Sequence, residues 1–204
     1  MTSYRDRERR RARSKRRLTG VADGSEDCIT GHPALFDIPP VFELGRMPEG
    51  GGYPVGFLEL VHRWLGVTAP EEVLHLCSGS VIAPRTIDAR ISSHASIIGD
   101  VRWLPIRRAS IRWAIADPPY GQDYAEAIWG EAVGKIYPTP MNLLREAAEV
   151  LVDGGLVAYL DHLVPTLPDE LERVNIIAVY CGTQTRMRAL TIARRLPRDG
   201  TLDL

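Results

Sequence analysis

Four consecutive residues, Asp117-Pro118-Pro119-Tyr120, combine a carboxylate, a backbone carbonyl on a stiff corner and a flat aromatic face. Two successive prolines fix φ and carry no amide hydrogen, which leaves the Pro118 carbonyl free to accept a hydrogen bond. Carboxylate and carbonyl together match the two hydrogens of an NH2 group on a conjugated ring. Such an amine is a poor nucleophile because its lone pair is delocalised into the ring. Holding both hydrogens favours the pyramidal nitrogen that attacks, by orientation and electrostatic stabilisation. The Tyr120 ring would stack on a nucleobase held out of its helix. The bland alternative is a Pro-Pro turn that ends a strand, with Asp117 as an ordinary cap.

These residues follow the apolar run Ile111–Ala116, which reads as a strand. Open α/β sheets take their ligands beyond the carboxyl ends of the strands, so the corner stands where a site belongs. The rest of the chain supplies the frame. A helix opens at Pro54 and stops at Gly66, with Val55, Phe57, Leu58, Leu60, Val61, Trp64 and Leu65 in its apolar stripe. Short strands are expected over 73–77, 86–89 and 95–98, and helices over 123–134 and from Thr139-Pro140 to Gly154-Gly155. A further strand over 156–160 follows, then an antiparallel hairpin of 175–180 and 187–192 around Gly182. The Pro- and Gly-rich stretch 32–53 reads as a loop or extended approach. Strands alternating with helices predict a mostly parallel α/β sheet closed by an antiparallel hairpin.

Asp-Pro-Pro-Tyr after a hydrophobic strand resembles the catalytic motif of S-adenosylmethionine-dependent amino-methyltransferases, which modify the exocyclic nitrogen of adenine or cytosine in DNA, with related enzymes on RNA. The resemblance implies a Rossmann-like class I methyltransferase fold with a mostly parallel seven-stranded sheet. It implies that Asp117 and Pro118 hold the target amine, that Pro119 stiffens the corner and that Tyr120 stacks on the base. It also implies S-adenosylmethionine as cofactor. The stretch His75-Leu76-Cys77-Ser78-Gly79-Ser80 stands where the family has its glycine-rich cofactor loop. There Gly79 and Ser80 match the pattern, His75 takes the place of an Asp, and Val81 replaces the second glycine. His75, Cys77, Ser78 and Gly79 are therefore expected on the methionine part of the cofactor, Asp88 on its ribose hydroxyls, and Asp100 facing its adenine.

Gly79 and Asp88 lie nine residues apart, against about 20 in an ordinary dinucleotide fold. A parallel crossover needs about a dozen residues or more, so the first crossover helix is expected to be missing or reduced to a turn. A compact group of methyltransferase-like proteins, some from phages, is similar in this shortened link and in its Leu-Cys-Ser-Gly-Ser stretch. The likeness covers residues 54–193.

With 204 residues, 45% hydrophobic and 25% charged, the chain suits one globular domain and not a disordered, collagenous or disulfide-framed one. No apolar run is long enough for a membrane span and no signal peptide is apparent. Cys28, Cys77 and Cys181 read as reduced thiols in a cytoplasm, and the five histidines have no metal-ligand spacing, so no metal is expected. The near-zero net charge conceals a division. Residues 1–18 hold nine basic and two acidic side chains, net +7, and the remainder is net −8. A basic arm over 1–30, before a single domain over 31–204, suits a polyphosphate partner, DNA before RNA, gripped by arginine forks. The absence of room for a large target-recognition domain predicts weak sequence specificity or a partner protein that supplies it. The expected activity is therefore methyl transfer to a nucleobase amine, adenine in DNA first. An RNA base methyltransferase, a nucleic-acid-binding module with a decayed cofactor site, and methylation of a protein glutamine or small amine stay as alternatives.

Overall fold

The computed structural model describes residues 41–45, 52–91, 93–181 and 187–198. The basic arm, Cys28, His32 and the Gly182 turn lie outside them. In chain order the elements are β1 (Val41–Leu44), α1 (Phe57–Leu65), a 3-10 turn (Pro70–Glu72), β2 (Leu74–Leu76), β3 (Thr86–Asp88), β4 (Ile97–Ile98) and β5 (Ile111–Ala116). There follow α2 (Gln122–Trp129), α3 (Glu131–Gly134), α4 (Pro140–Val150), β6 (Leu151–Asp161), β7 (Leu171–Cys181) and β8 (Met187–Arg195). The strands form one sheet in the order β1-β7-β8-β6-β5-β2-β3-β4. Strands β2 to β6 pair in parallel, and β8 runs antiparallel between β6 and β7. The expected seven strands are thus joined by an eighth. Strand β1 lies parallel to β7, with Val41 opposite Ala178, inside the stretch read from sequence as loop. Four residues among prolines and glycines carry too little periodicity to declare a strand; the edge of β7 makes them one.

Side chains alternate across the sheet, as the two-residue period of a strand requires. Ala114, Ala116, Val157 and Tyr159 pack into one apolar cluster, with Leu143, Leu144, Ala147 and Ala148 of α4. Trp113, Ile115, Ala158 and Leu160 pack into the other, with Phe57, Leu60, Val61 and Leu65 of α1. Gly66 ends α1 in the left-handed conformation at φ 62, and Trp113 Nε1 donates to the Leu65 carbonyl at 3.1 Å, fastening the end of that helix to β5.

Several boundaries differ from the sequence expectation. The helix expected over 123–134 is broken at Gly130, with φ 89, into α2 and α3. Helix α4 is capped by Thr139, whose hydroxyl accepts from the Asn142 amide at 3.3 Å, but it stops at Val150 and not at the glycine pair. Strand β6 begins at once, at Leu151. Gly154 and Gly155 fall within it, where the pairing with β5 shifts register between Ile111 and Trp113. A Cβ on Gly155 would lie 2.8 Å from the Val152 carbonyl oxygen, so the irregularity needs a glycine. No helix among the described residues links β2 to β3, as the nine-residue spacing implies.

Candidate active site

The carboxyl ends of β2, β3 and β5 open on one cavity of about 570 Å³, within the range of small-molecule sites. Asp117, Pro118, Pro119 and Tyr120, which follow β5, all line it. So do Cys77 and Gly79 after β2, Asp88 at the end of β3, and Asp100 two residues past β4. His75 and Ser78 do not. His75 is buried within β2, its Nδ1 3.3 Å from the Tyr53 hydroxyl, and burial lowers its pKa to about 4, aided by the charge of His62. It is a neutral ring under the cavity wall, and Tyr53 is the member of this pair that lines the cavity. Ser78 is held by its backbone, which donates to the Ile87 carbonyl at 3.1 Å.

The turn after β2 is tightly specified. Cys77 has φ 55 and Gly79 φ 60. A Cβ on Gly79 would stand 3.2 Å from both the Gly52 nitrogen and Arg90 Nη2, so a side chain here would crowd both and be strained at this positive φ. The Gly79 amide donates to Asp88 Oδ2 at 2.8 Å, which ties the turn directly to the end of β3. Burial pushes the Cys77 thiol well up, reinforced by Asp88 and Asp117, so it stays protonated and is a poor nucleophile.

The two acids expected on the cofactor share a local geometry that the sequence reading missed. In Asp88-Ala89-Arg90, Asp88 Oδ1 accepts from the Arg90 amide at 2.9 Å and from Arg90 Nε at 3.0 Å. In Asp100-Val101-Arg102, Asp100 Oδ1 accepts from the Arg102 amide at 2.9 Å and from Arg102 Nε at 3.0 Å. Hydrogen bonding to Arg102 holds the Asp100 carboxyl below the usual carboxylate range against the opposing effect of its burial. An Asp-x-Arg pattern repeated at the ends of two adjacent strands was the available signal.

At the Asp117 corner the Tyr120 hydroxyl donates to Asp117 Oδ1 at 2.7 Å. Burial raises the Asp117 pKa to about 6, opposed by the Tyr120 hydrogen bond and the Arg188 charge and helped by the neighbouring Asp161. Asp161, at the end of β6, accepts from the Tyr159 hydroxyl at 3.0 Å and from the His162 amide at 2.5 Å. The His162 ring stacks on Tyr120 at 4.2 Å, and the Arg188 guanidinium lies over the same ring at 4.9 Å. The Tyr120 ring is thus in contact with both His162 and Arg188. Asp161, His162 and Arg188 were not foreseen. Arg188 arrives because antiparallel pairing sets Ala189 opposite Asp161, a contact with no local signature.

The opposite wall is aromatic. Tyr124 of α2 meets Tyr120 at 6.2 Å and Trp129 edge-on at 5.9 Å, and Arg90 lies over Trp129 at 5.1 Å. Trp129 is a cavity-wall residue and Trp113 a core residue, whereas Trp103 is 75% exposed. Among the described residues no group of histidine, cysteine, aspartate or glutamate side chains could hold a metal ion. No described helix is long and apolar enough to cross a membrane.

No protein-family model matches the sequence, and no curated protein sequence matches it. Solved structures do. TrmN from Thermus thermophilus aligns with TM-score 0.52 and 18% identity, over 72% of this chain and 50% of that one. The chain therefore spans half the length of that protein. The yhhF protein of Escherichia coli, itself only provisionally designated a methyltransferase, aligns with TM-score 0.45 and 12% identity over 74% of this chain and 92% of that one. PH0226 from Pyrococcus horikoshii OT3 aligns with TM-score 0.38 and 12% identity over 68% and 87%. The fold assignment rests on the first likeness and on the strand order. This chain has the Rossmann-like fold of the class I methyltransferases, with its first crossover helix absent among the described residues and an added edge strand.

Proposed function

We propose that the protein is an S-adenosylmethionine-dependent methyltransferase acting on the exocyclic amine of a nucleobase, adenine in DNA first. One observation carries this reading. The Asp117–Tyr120 corner and the Gly79, Asp88 and Asp100 positions, separated by up to 41 residues of sequence, line a single cavity. When bound, S-adenosylmethionine supplies a methyl group activated by a sulfonium. Gly79 lets the backbone approach the methionine part, and Asp88 and Asp100 offer carboxylates towards ribose and adenine. His75 and Ser78, behind the wall, act in this reading only through Tyr53 and the turn they support.

The Asp117 carboxylate and the Pro118 carbonyl accept the two amine hydrogens and aim the nitrogen lone pair. The Tyr120 hydroxyl holds Asp117 in place for that task. Methyl transfer would break the methyl–sulfur bond, leaving a neutral thioether, as the N–C bond forms; the nitrogen would then shed a proton, for which Asp117, with its carboxyl near 6, is the acceptor at hand. The basic arm over 1–18 would grip the phosphates. The test is incubation with labelled S-adenosylmethionine and separate DNA, RNA and protein pools, followed by nucleoside analysis. Label in DNA adenine is expected. Asp117→Ala and Tyr120→Ala are each expected to lose about 10²–10⁴-fold in rate while remaining folded by circular dichroism. Label confined to RNA moves the reading to an RNA base, and transfer at the wild-type rate by both variants overturns the site.

A second reading, a nucleic-acid-binding module without methyl transfer, draws support from the arginine already seated on Asp88. Calorimetry with S-adenosylmethionine separates the two.

A further inference from the structure

We infer that Arg90 sets the affinity of the cavity for its nucleoside ligand: its guanidinium occupies the carboxylate that a ribose diol needs, and the diol binds only in exchange for it. The inference rests on the cofactor reading above and deepens it. An ionised carboxylate offers about four lone-pair positions. At Asp88 four donors are in reach. The Gly79 amide at 2.8 Å and Arg90 Nη2 at 3.4 Å meet Oδ2, and the Arg90 amide at 2.9 Å and Nε at 3.0 Å meet Oδ1. The two amide bonds belong to the backbone of the turns and persist whatever the cavity holds. The two guanidinium bonds belong to a side chain that can rotate, and they are the ones a diol would replace.

Arg90 lines the same cavity and lies 5.1 Å from the centre of the Trp129 ring. Trp129 therefore gives the guanidinium a second partner, one that survives release of the carboxylate. Asp100 makes the contrast. Its arginine, Arg102, forms the same turn but does not line the cavity, so a ligand meets Arg90 and not Arg102. Where a binding-competent state is one of two, apparent affinity falls by the fraction that is competent. A closed Arg90–Asp88 pair favoured about tenfold weakens binding about tenfold.

The test is calorimetry on the full chain and on Arg90→Gln with three probes: S-adenosylmethionine, adenosine and 2′,3′-dideoxyadenosine. The first two are expected to bind Arg90→Gln about tenfold more tightly than the wild type. The dideoxy compound, which has no diol, is expected to bind both proteins alike. Should Arg90→Gln fail to fold, Arg90→Lys keeps the charge without the fork and is expected to tighten binding about threefold. Equal Kd values for S-adenosylmethionine in variant and wild type, or a weaker one in the variant, overturn this inference and leave the cofactor reading standing. Heat from neither protein with S-adenosylmethionine overturns both.

Discussion

Asp117 is asked to do two things that compete. As the proposed acceptor for an amine it would have to be ionised, yet the cavity wall raises its pKa to about 6, with burial as the largest cause. The consequence for stability has a definite sign. The unfolded carboxyl titrates near 3.8 and the folded one near 6, so the folded state holds the proton more tightly. The contribution of this group to stability is greatest below the unfolded value and is lost as pH rises through the folded one. Asp117→Asn, which cannot ionise and still accepts from Tyr120, is expected to be more stable than wild type by roughly 1–3 kcal/mol at pH 8. The gain should vanish by pH 4. Guanidinium unfolding at pH 8, 6 and 4 checks it, and a gain that does not shrink as pH falls refutes the assignment.

At the scale of elements, the positioning of the corner depends on the β6–β8 pair as much as on β5. Strand β8 delivers Arg188 to the Tyr120 ring at one end and Arg195 to the end of α4 at the other. A helix leaves its last four carbonyls without intrahelical donors. Arg195, 6% exposed, donates through Nε to the Ala148 carbonyl at 3.0 Å and through Nη1 to the carbonyls of Glu170 at 3.2 Å and Leu196 at 2.9 Å. Arg198 adds bonds from Nη2 to the carbonyls of Glu149 and Leu151, each at 3.0 Å. Arg195→Ala removes the buried member of this group: the Leu196 carbonyl loses this donor and Ala148 keeps only the longer bond from Arg198 at 3.5 Å, while Glu170 keeps the Leu196 amide at 3.0 Å, a loss of about 1–3 kcal/mol. Urea unfolding measures it. Binding of S-adenosylmethionine to the folded variant should be unchanged, because the cavity lies at the opposite end of β8.

For the whole molecule the dominant feature is charge. The first 18 residues carry +7 and the rest of the sequence −8, a division by which those 18 residues alone would pull the chain towards a polyphosphate. Each phosphate neutralised contributes about 0.9 to the slope of log K against log salt on duplex DNA. Deleting residues 1–18 is expected to weaken DNA binding and to flatten that slope by several units, while the Kd for S-adenosylmethionine holds. A slope unaltered by the deletion places the phosphate contacts elsewhere.

What the sequence determined by itself was whatever depends on neighbours in the chain. Two prolines make a corner wherever they stand, nine residues cannot hold a crossover helix, and the apolar run Ile111–Ala116, stopped by Asp117-Pro118, declares its strand. Hence the parallel core strands and the hairpin β7–β8 were legible, and Cys77, Gly79, Asp88, Asp100 and Asp117 to Tyr120 were picked out as residues that line one cavity, whereas His75 and Ser78 were picked out and do not line it. The helix stop at Gly130 had a local cause, a φ of 89, that a run of apolar spacing conceals. Tertiary structure alone decided the rest. Strand β1 exists because β7 has an edge to pair with, and Arg188 reaches Tyr120 because β8 returns antiparallel beside β6. His75 lies behind the wall and Asp88 in it because a strand sends successive side chains differently and ends where it does. Such contacts join residues far apart in sequence, and their physical cause is pairing and burial that no local window contains.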